Sequence, residues 1–140
     1  MNKGVANPLS VTVAVAADID VVSARRQGRI LAEQLGFSVS EATLVATAIS
    51  ELARNIVLYA GNGQITVGRI DGDGRCGITI VATDRGPGIA DTALATNAGY
   101  STSGGLGLGL PGVRRIMDEF QIESEPGRGT TVKVIKWQRH

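Results

Sequence analysis

At 140 residues the chain is sized for one domain, long enough to bury a core without staples, and its apolar fraction of 43% is ordinary for a globular protein. Fourteen basic and thirteen acidic residues leave a formal charge of +1, so no whole-molecule field favours nucleic acid or membrane, and aromatics at 4% argue against base-stacking platforms. Cys76 is the single cysteine, which rules out an internal disulfide and fits a reducing cytosol; no apolar run approaches bilayer length and no secretory signal is visible, so the expectation is a soluble cytoplasmic protein.

Residues 1–10 read as a loose leader and 11–140 as one domain. Ser10 to Ala17 alternates as a strand, with Val11, Val13 and Val15 on one face. Asp18 or Asp20 can cap a helix that runs to about Leu35 and ends at Gly36, with Ile19, Val22, Ile30, Leu31 and Leu35 at roughly helical spacing. Ser38-Val-Ser-Glu41 is a capping box that opens a second helix, continuing to about Ala60. Its core stripe is Ala42, Val45, Ala46, Ile49, Ala53, Ile56 and Val57.

Gln64–Ile70 and Gly77–Asp84 read as strands joined by a hairpin turn at Asp71-Gly-Asp-Gly74. Residues 85–106 follow neither period, and a stretch of that length inside a small domain is usually functional. A third helix is expected from about Leu108 to Phe120, with Pro111 tolerated in its first turn. Gln121–Glu125 and Thr130–Trp137 then form a second hairpin around Pro126-Gly-Arg-Gly129. The predicted architecture is an α/β two-layer sandwich: three helices on one face of a mixed, mostly antiparallel sheet.

Three clusters carry chemistry. Glu51 and Asn55 stand four apart and share one face of the second helix, together with Ala48 and Tyr59 and offset from the core stripe. Magnesium takes hard oxygen ligands and keeps waters, so one Asn oxygen plus nucleotide phosphates can hold it; a carboxylate one turn earlier can activate a hydroxyl. The same pair also fits a solvated helix face. Asp84 ends a strand and precedes Gly86-Pro-Gly88, where a carboxylate can accept from an exocyclic amine such as that of adenine, or simply start a turn. Gly105-Leu-Gly107-Leu-Gly109 precedes a helix, whose free N–H groups suit phosphate. Gly107-x-Gly109-x-x-Gly112 matches a dinucleotide fingerprint in letters only, since no βαβ unit surrounds it. Walker A and protein-kinase signatures are missing from the sequence.

The order of these clusters resembles the N, G1 and G2 boxes of the GHKL superfamily (Bergerat fold), whose members include gyrase, Hsp90, histidine kinases and MutL; Gly127-x-Gly129-Thr130 resembles its last nucleotide box. Thr47-Ala-Ile-Ser-Glu-Leu-Ala-Arg-Asn55, Leu58-Tyr-Ala-Gly61, Ser101-Thr-Ser-Gly-Gly-Leu-Gly107, Gly109-Leu-Pro-Gly-Val113, Met117-Asp-Glu-Phe120 and Ile135-Lys-Trp137 are similar to RsbT-type serine/threonine kinases of the bacterial stressosome. This likeness spans about Val13 to Trp137.

The resemblance implies ATP and Mg2+ as cofactors, with Asn55 as metal ligand and Glu51 as catalytic base. Asp84 would read adenine, with Gly86 and Gly88 allowing its approach and Thr130 supporting Asp84. Gly105, Leu106, Gly107, Leu108, Gly109 and Leu110 would wrap the phosphates. Leu106 stands where many histidine kinases carry Thr, and Arg85 fills a variable slot. The implied substrates are STAS-domain scaffold and antagonist proteins, and the implied second partner is a PP2C-type phosphatase that the released kinase activates; no nucleic acid and no membrane are implied. One alternative is a nucleotide-gated, anti-sigma-factor-like binding module with little catalysis. A histidine-kinase catalytic part is the other, but His140, the single histidine, is terminal and a poor phospho-acceptor. Arg25, Arg26 and Arg29 on the first helix, and Arg114-Arg115 on the last, read as solvated faces or a partner rim.

Overall fold

The computed structural model describes residues 10–86 and 109–139. Their element order is β1 (Ser10–Val15), α1 (Asp18–Gln34), α2 (Val39–Tyr59), β2 (Gly63–Gly72), β3 (Arg75–Asp84), α3 (Gly109–Ile116), β4 (Glu119–Glu125) and β5 (Gly129–Trp137). The strands form one five-stranded sheet in the order β1-β2-β3-β5-β4, and all four pairings are antiparallel. The three helices cover one face of it, giving the expected two-layer sandwich.

Register explains the layering. Val13, Ile65, Ala82, Val132 and Ile122 are cross-strand neighbours facing the helices, and all but the half-buried Ile122 are buried. The adjacent row, Thr12, Thr66, Val81 and Lys133, faces away, and Thr12 and Thr66 hydrogen-bond at 3.1 Å. Ile49 and Leu52 of α2 meet Ile65, Ile78 and Ile80 in the interior, each such side chain contributing about 1.5–3 kcal/mol by burial.

The second helix forms as its sequence requires. Ser38 Oγ accepts from the Glu41 N–H at 3.1 Å while the Glu41 carboxylate accepts from the Ser38 N–H, closing the capping box. At α1 the cap differs from the expectation: Ala17 occupies the N-cap, and Asp20 reaches back to accept from the N–H groups of Ala16 and Ala17 at 2.9 and 3.1 Å. β1 accordingly ends at Val15, short of Ala17.

The buried stripe of α1 also differs. Val21, Ala24, Gly28, Leu31 and Ala32 are buried, whereas Ile19, Val22 and Ile30 are 71%, 46% and 43% exposed; of the expected stripe, Leu31 is buried and Leu35 half-buried. Small residues win because they let α1 lie close to α2: a Cβ on Gly28 would run into Ile49 Cδ1.

The third helix is shorter than its apolar pattern predicts, ending at Ile116 and not Phe120. Strand pairing captures the segment: the Asp118 N–H donates to the Ile135 carbonyl at 2.9 Å, and β4 begins at Glu119, opposite Ile135. Asp118 and Glu119 then accept from the backbone and indole N–H groups of Trp137 at 2.7 and 2.8 Å. Lys136 is buried, and its ammonium donates to the Ile116 carbonyl at the end of α3.

Candidate functional site

The expected carboxylate face of α2 is an interior face. Ala48 is fully buried and Glu51 is 7% exposed, because α3 covers this side of the helix; Tyr59, at the far end, is 47% exposed. An ionised carboxylate is held there only if its oxygens are satisfied. Glu51 Oε1 accepts from the Gly109 backbone N–H at 3.1 Å, and Oε2 accepts from Arg54 Nη1 at 2.8 Å. Asn55 lies one turn on, half-buried, and Leu110 is buried behind Gly109.

The other wall is one row of the sheet. Beyond the apolar row through Val13 comes the row Val15, Gly63, Asp84, Thr130 and Ser124, which faces the same helices and turns polar at β3. Asp84 is half-buried, and its Oδ1 accepts from the Gly86 N–H at 2.8 Å, closing a tight turn. A Cβ on Gly86 would meet Ala60 Cβ at 2.6 Å, so this turn packs on the end of α2. Opposite Asp84, Thr130 shares a 2.8 Å hydrogen bond with the Ser124 hydroxyl, and Ser124 Oγ also bonds the Gly129 carbonyl at 3.1 Å. Gly129 has φ +104, and a Cβ there would run into the Asp84 carbonyl oxygen.

Glu51, Asn55, Asp84, Gly86, Gly109, Leu110 and Thr130 are therefore placed on α2, at the β3 end, at the α3 start and at the β5 start, around one end of the helix–sheet interface. Gly88, Gly105, Leu106, Gly107 and Leu108 lie outside the described residues. Arg54, Ser124 and Lys136 were not anticipated; only Arg54 carried a signal, three residues after Glu51 on a helix. Arg69, whose guanidinium is held above its ordinary range by the hydrogen-bonded Asp71 carboxylate, belongs to the opposite end of the β2–β3 hairpin.

The donor set fits a magnesium nucleotide. Asn55, half-buried on α2 one turn after Glu51, carries one hard amide oxygen. Magnesium accepts an oxygen of this kind when phosphate and water complete its shell. Asp84, with one oxygen on Gly86, keeps the other for a donor such as an exocyclic amine.

Residues 40–139 match the family of histidine kinase-, DNA gyrase B-, and HSP90-like ATPases. The chain is 50% identical over 127 residues to the serine/threonine-protein kinase RsbT of Bacillus subtilis (strain 168), covering 91% of this chain and 96% of that protein. It is 33% identical over 112 residues to the anti-sigma F factor of Caldanaerobacter subterraneus subsp. tengcongensis, covering 76% and 77%. In fold it is similar to the crystal structure of the RsbU and RsbW domains of Rv1364c from Mycobacterium tuberculosis, with TM-score 0.63 and 19% identity, over 94% of this chain and 33% of that one.

Proposed function

Because the chain belongs to the histidine kinase-, DNA gyrase B- and HSP90-like ATPase family, we infer that it is an ATP-dependent protein serine/threonine kinase of a partner-switching pathway. The observation that carries this reading is Glu51, a buried carboxylate with one donor on each oxygen, one turn before Asn55. A carboxylate oriented in this way is suited to accept a proton from a Ser or Thr hydroxyl. The hydroxyl proton moves to Glu51 as the hydroxyl oxygen bonds the terminal phosphorus of ATP and ADP departs. Asn55 would hold Mg2+, which when bound neutralises phosphate charge. Asp84 would accept from the adenine amine, with Gly86 keeping that edge open, and Thr130 would brace the strand opposite. Gly105 to Leu110 would cover the phosphates.

STAS-domain scaffold and antagonist proteins are the proposed substrates, and a PP2C-type phosphatase is the proposed second partner. Support for both is the wording of the Thr47–Asn55 and Ser101–Gly107 segments together with the likeness to RsbT. The single domain over 11–140 and a cytoplasmic location are proposals of the same kind; among the described residues no helix is long and apolar enough to cross a membrane. The likeness to anti-sigma F factors favours a second reading, a nucleotide-gated binding module with little catalysis. Incubation with a STAS-domain protein and ATP labelled at its terminal phosphate separates the two. Label on a Ser or Thr of the partner is expected; tight ATP-dependent binding without transfer would establish the module instead.

A further inference from the structure

Four ion pairs join described residues, and in three of them the acid is open to solvent to some degree: side-chain exposure is 62% for Asp71, 68% for Glu125 and 22% for Asp118. Glu51 differs, with its carboxylate side chain 9% exposed beneath an Arg54 that is 42% exposed. Exposed pairs contribute little, but a buried carboxylate depends on its partners for both charge and orientation. The two partners are unlike. Gly109 contributes a backbone N–H at the start of α3, in a buried bond to Oε1. Arg54 contributes a side chain at the solvent margin, bonded to Oε2.

We propose that Arg54 is a positioning residue for Glu51: its guanidinium fixes the carboxylate plane against the Gly109 amide and leaves Oε2 as the oxygen that receives the acceptor hydroxyl's proton. The proposal rests on the kinase reading above. Oε1 is committed to a buried backbone donor that only a shift of α3 would release, whereas Oε2 accepts from a side chain at the solvent margin and keeps a second lone pair for an arriving hydroxyl. One donor per oxygen also stops the carboxylate from turning its plane, and misplacement by about 1 Å is enough to slow a positioned reaction roughly a hundredfold.

The test compares Arg54→Ala, Arg54→Gln, Arg54→Lys, Glu51→Gln and the Glu51→Gln/Arg54→Ala double variant in the full chain. Phosphate transfer is measured to a STAS-domain acceptor, and affinity for a magnesium complex of non-hydrolysable ATP is measured by calorimetry. Expected for Arg54→Ala and Arg54→Gln is a fall in kcat of about ten- to a hundredfold with unchanged nucleotide affinity and KM. Arg54→Lys is expected to restore most of the rate, and Arg54→Ala to add nothing to Glu51→Gln. Without any acceptor, the Gly109 amide should exchange its proton faster in Arg54→Ala than in the parent, as read by NMR. Should Arg54→Ala prevent folding, Arg54→Gln keeps the aliphatic stem without the guanidinium and carries the same expectation. Wild-type transfer by the Arg54 variants, with Glu51→Gln impaired, would overturn the proposal alone. Loss of nucleotide affinity in parallel with rate would overturn it in favour of direct nucleotide contact. Wild-type transfer by Glu51→Gln would instead overturn the kinase reading beneath it.

Discussion

Replacing Gly129 by Ala tests the wall of the proposed nucleotide site at its tightest point. Gly129 opens β5 at φ +104, a conformation L side chains rarely adopt, and strain of this kind costs about 1–3 kcal/mol. A Cβ there would also run into the Asp84 carbonyl oxygen and lie 2.7 Å from Arg85 Cα and 2.9 Å from the Asp84 carbonyl carbon. These neighbours are backbone and cannot rotate aside, so overpacking adds roughly another 1–3 kcal/mol. Gly127→Ala is the internal control, because Gly127 has φ +81 but nothing within 4 Å of its added Cβ. The difference between the two variants isolates the contact with β3. For a chain of this size it corresponds to a melting point lower by about 4–12 °C in Gly129→Ala than in Gly127→Ala. Scanning calorimetry reads this directly, and ATP affinity should fall in the same variant because Asp84 and Arg85 are displaced. Equal melting points for the two variants would refute the reasoning.

Asn55→Ala should weaken Mg-ATP binding by about ten- to a hundredfold while the fold survives, since the side chain is only half-buried; unchanged calorimetric affinity would reject Asn55 as a ligand. Glu51→Gln should bind nucleotide nearly normally, because the amide oxygen can still accept from Gly109, yet transfer phosphate about 10²–10⁴-fold more slowly in a label-transfer assay. Asp118→Ala strips the Trp137 backbone N–H and Arg139 of their acceptor and should lower stability by about 1–3 kcal/mol in a urea melt without altering ATP affinity.

Local signals made α2 legible: a capping box, a 3.6-residue apolar period and a helix stop are written within one segment. The β2–β3 hairpin was equally legible, since Asp73 at φ 52 and Gly74 at φ 75 supply the two left-handed residues a tight turn demands. α1 departs from its large-aliphatic pattern because close packing on Ile49 selects the Ala24–Gly28 side. Met117 to Phe120 kept a helical look, but tertiary pairing with Ile135 overrode it. The residue types of the site could be read, but not its closure. Glu51 looks solvated on a helical wheel and becomes buried only when α3 arrives from 58 residues away. Ser124, from a strand beyond it, reaches Thr130 only through the β4–β5 register.

α3 is an eight-residue helix, too short to persist on its own, and polar groups grip both of its ends. Its first amide is held by the Glu51 carboxylate and its last carbonyl by the Lys136 ammonium, each charge matched in sign to the helix dipole at that end. The helix is thus a strut clamped between α2 and the sheet, and one clamp is the same carboxylate proposed to receive the proton. In the proposed transfer, a proton placed on Glu51 would remove negative charge from the strut's amino end, so the fold would couple that step to the seating of α3.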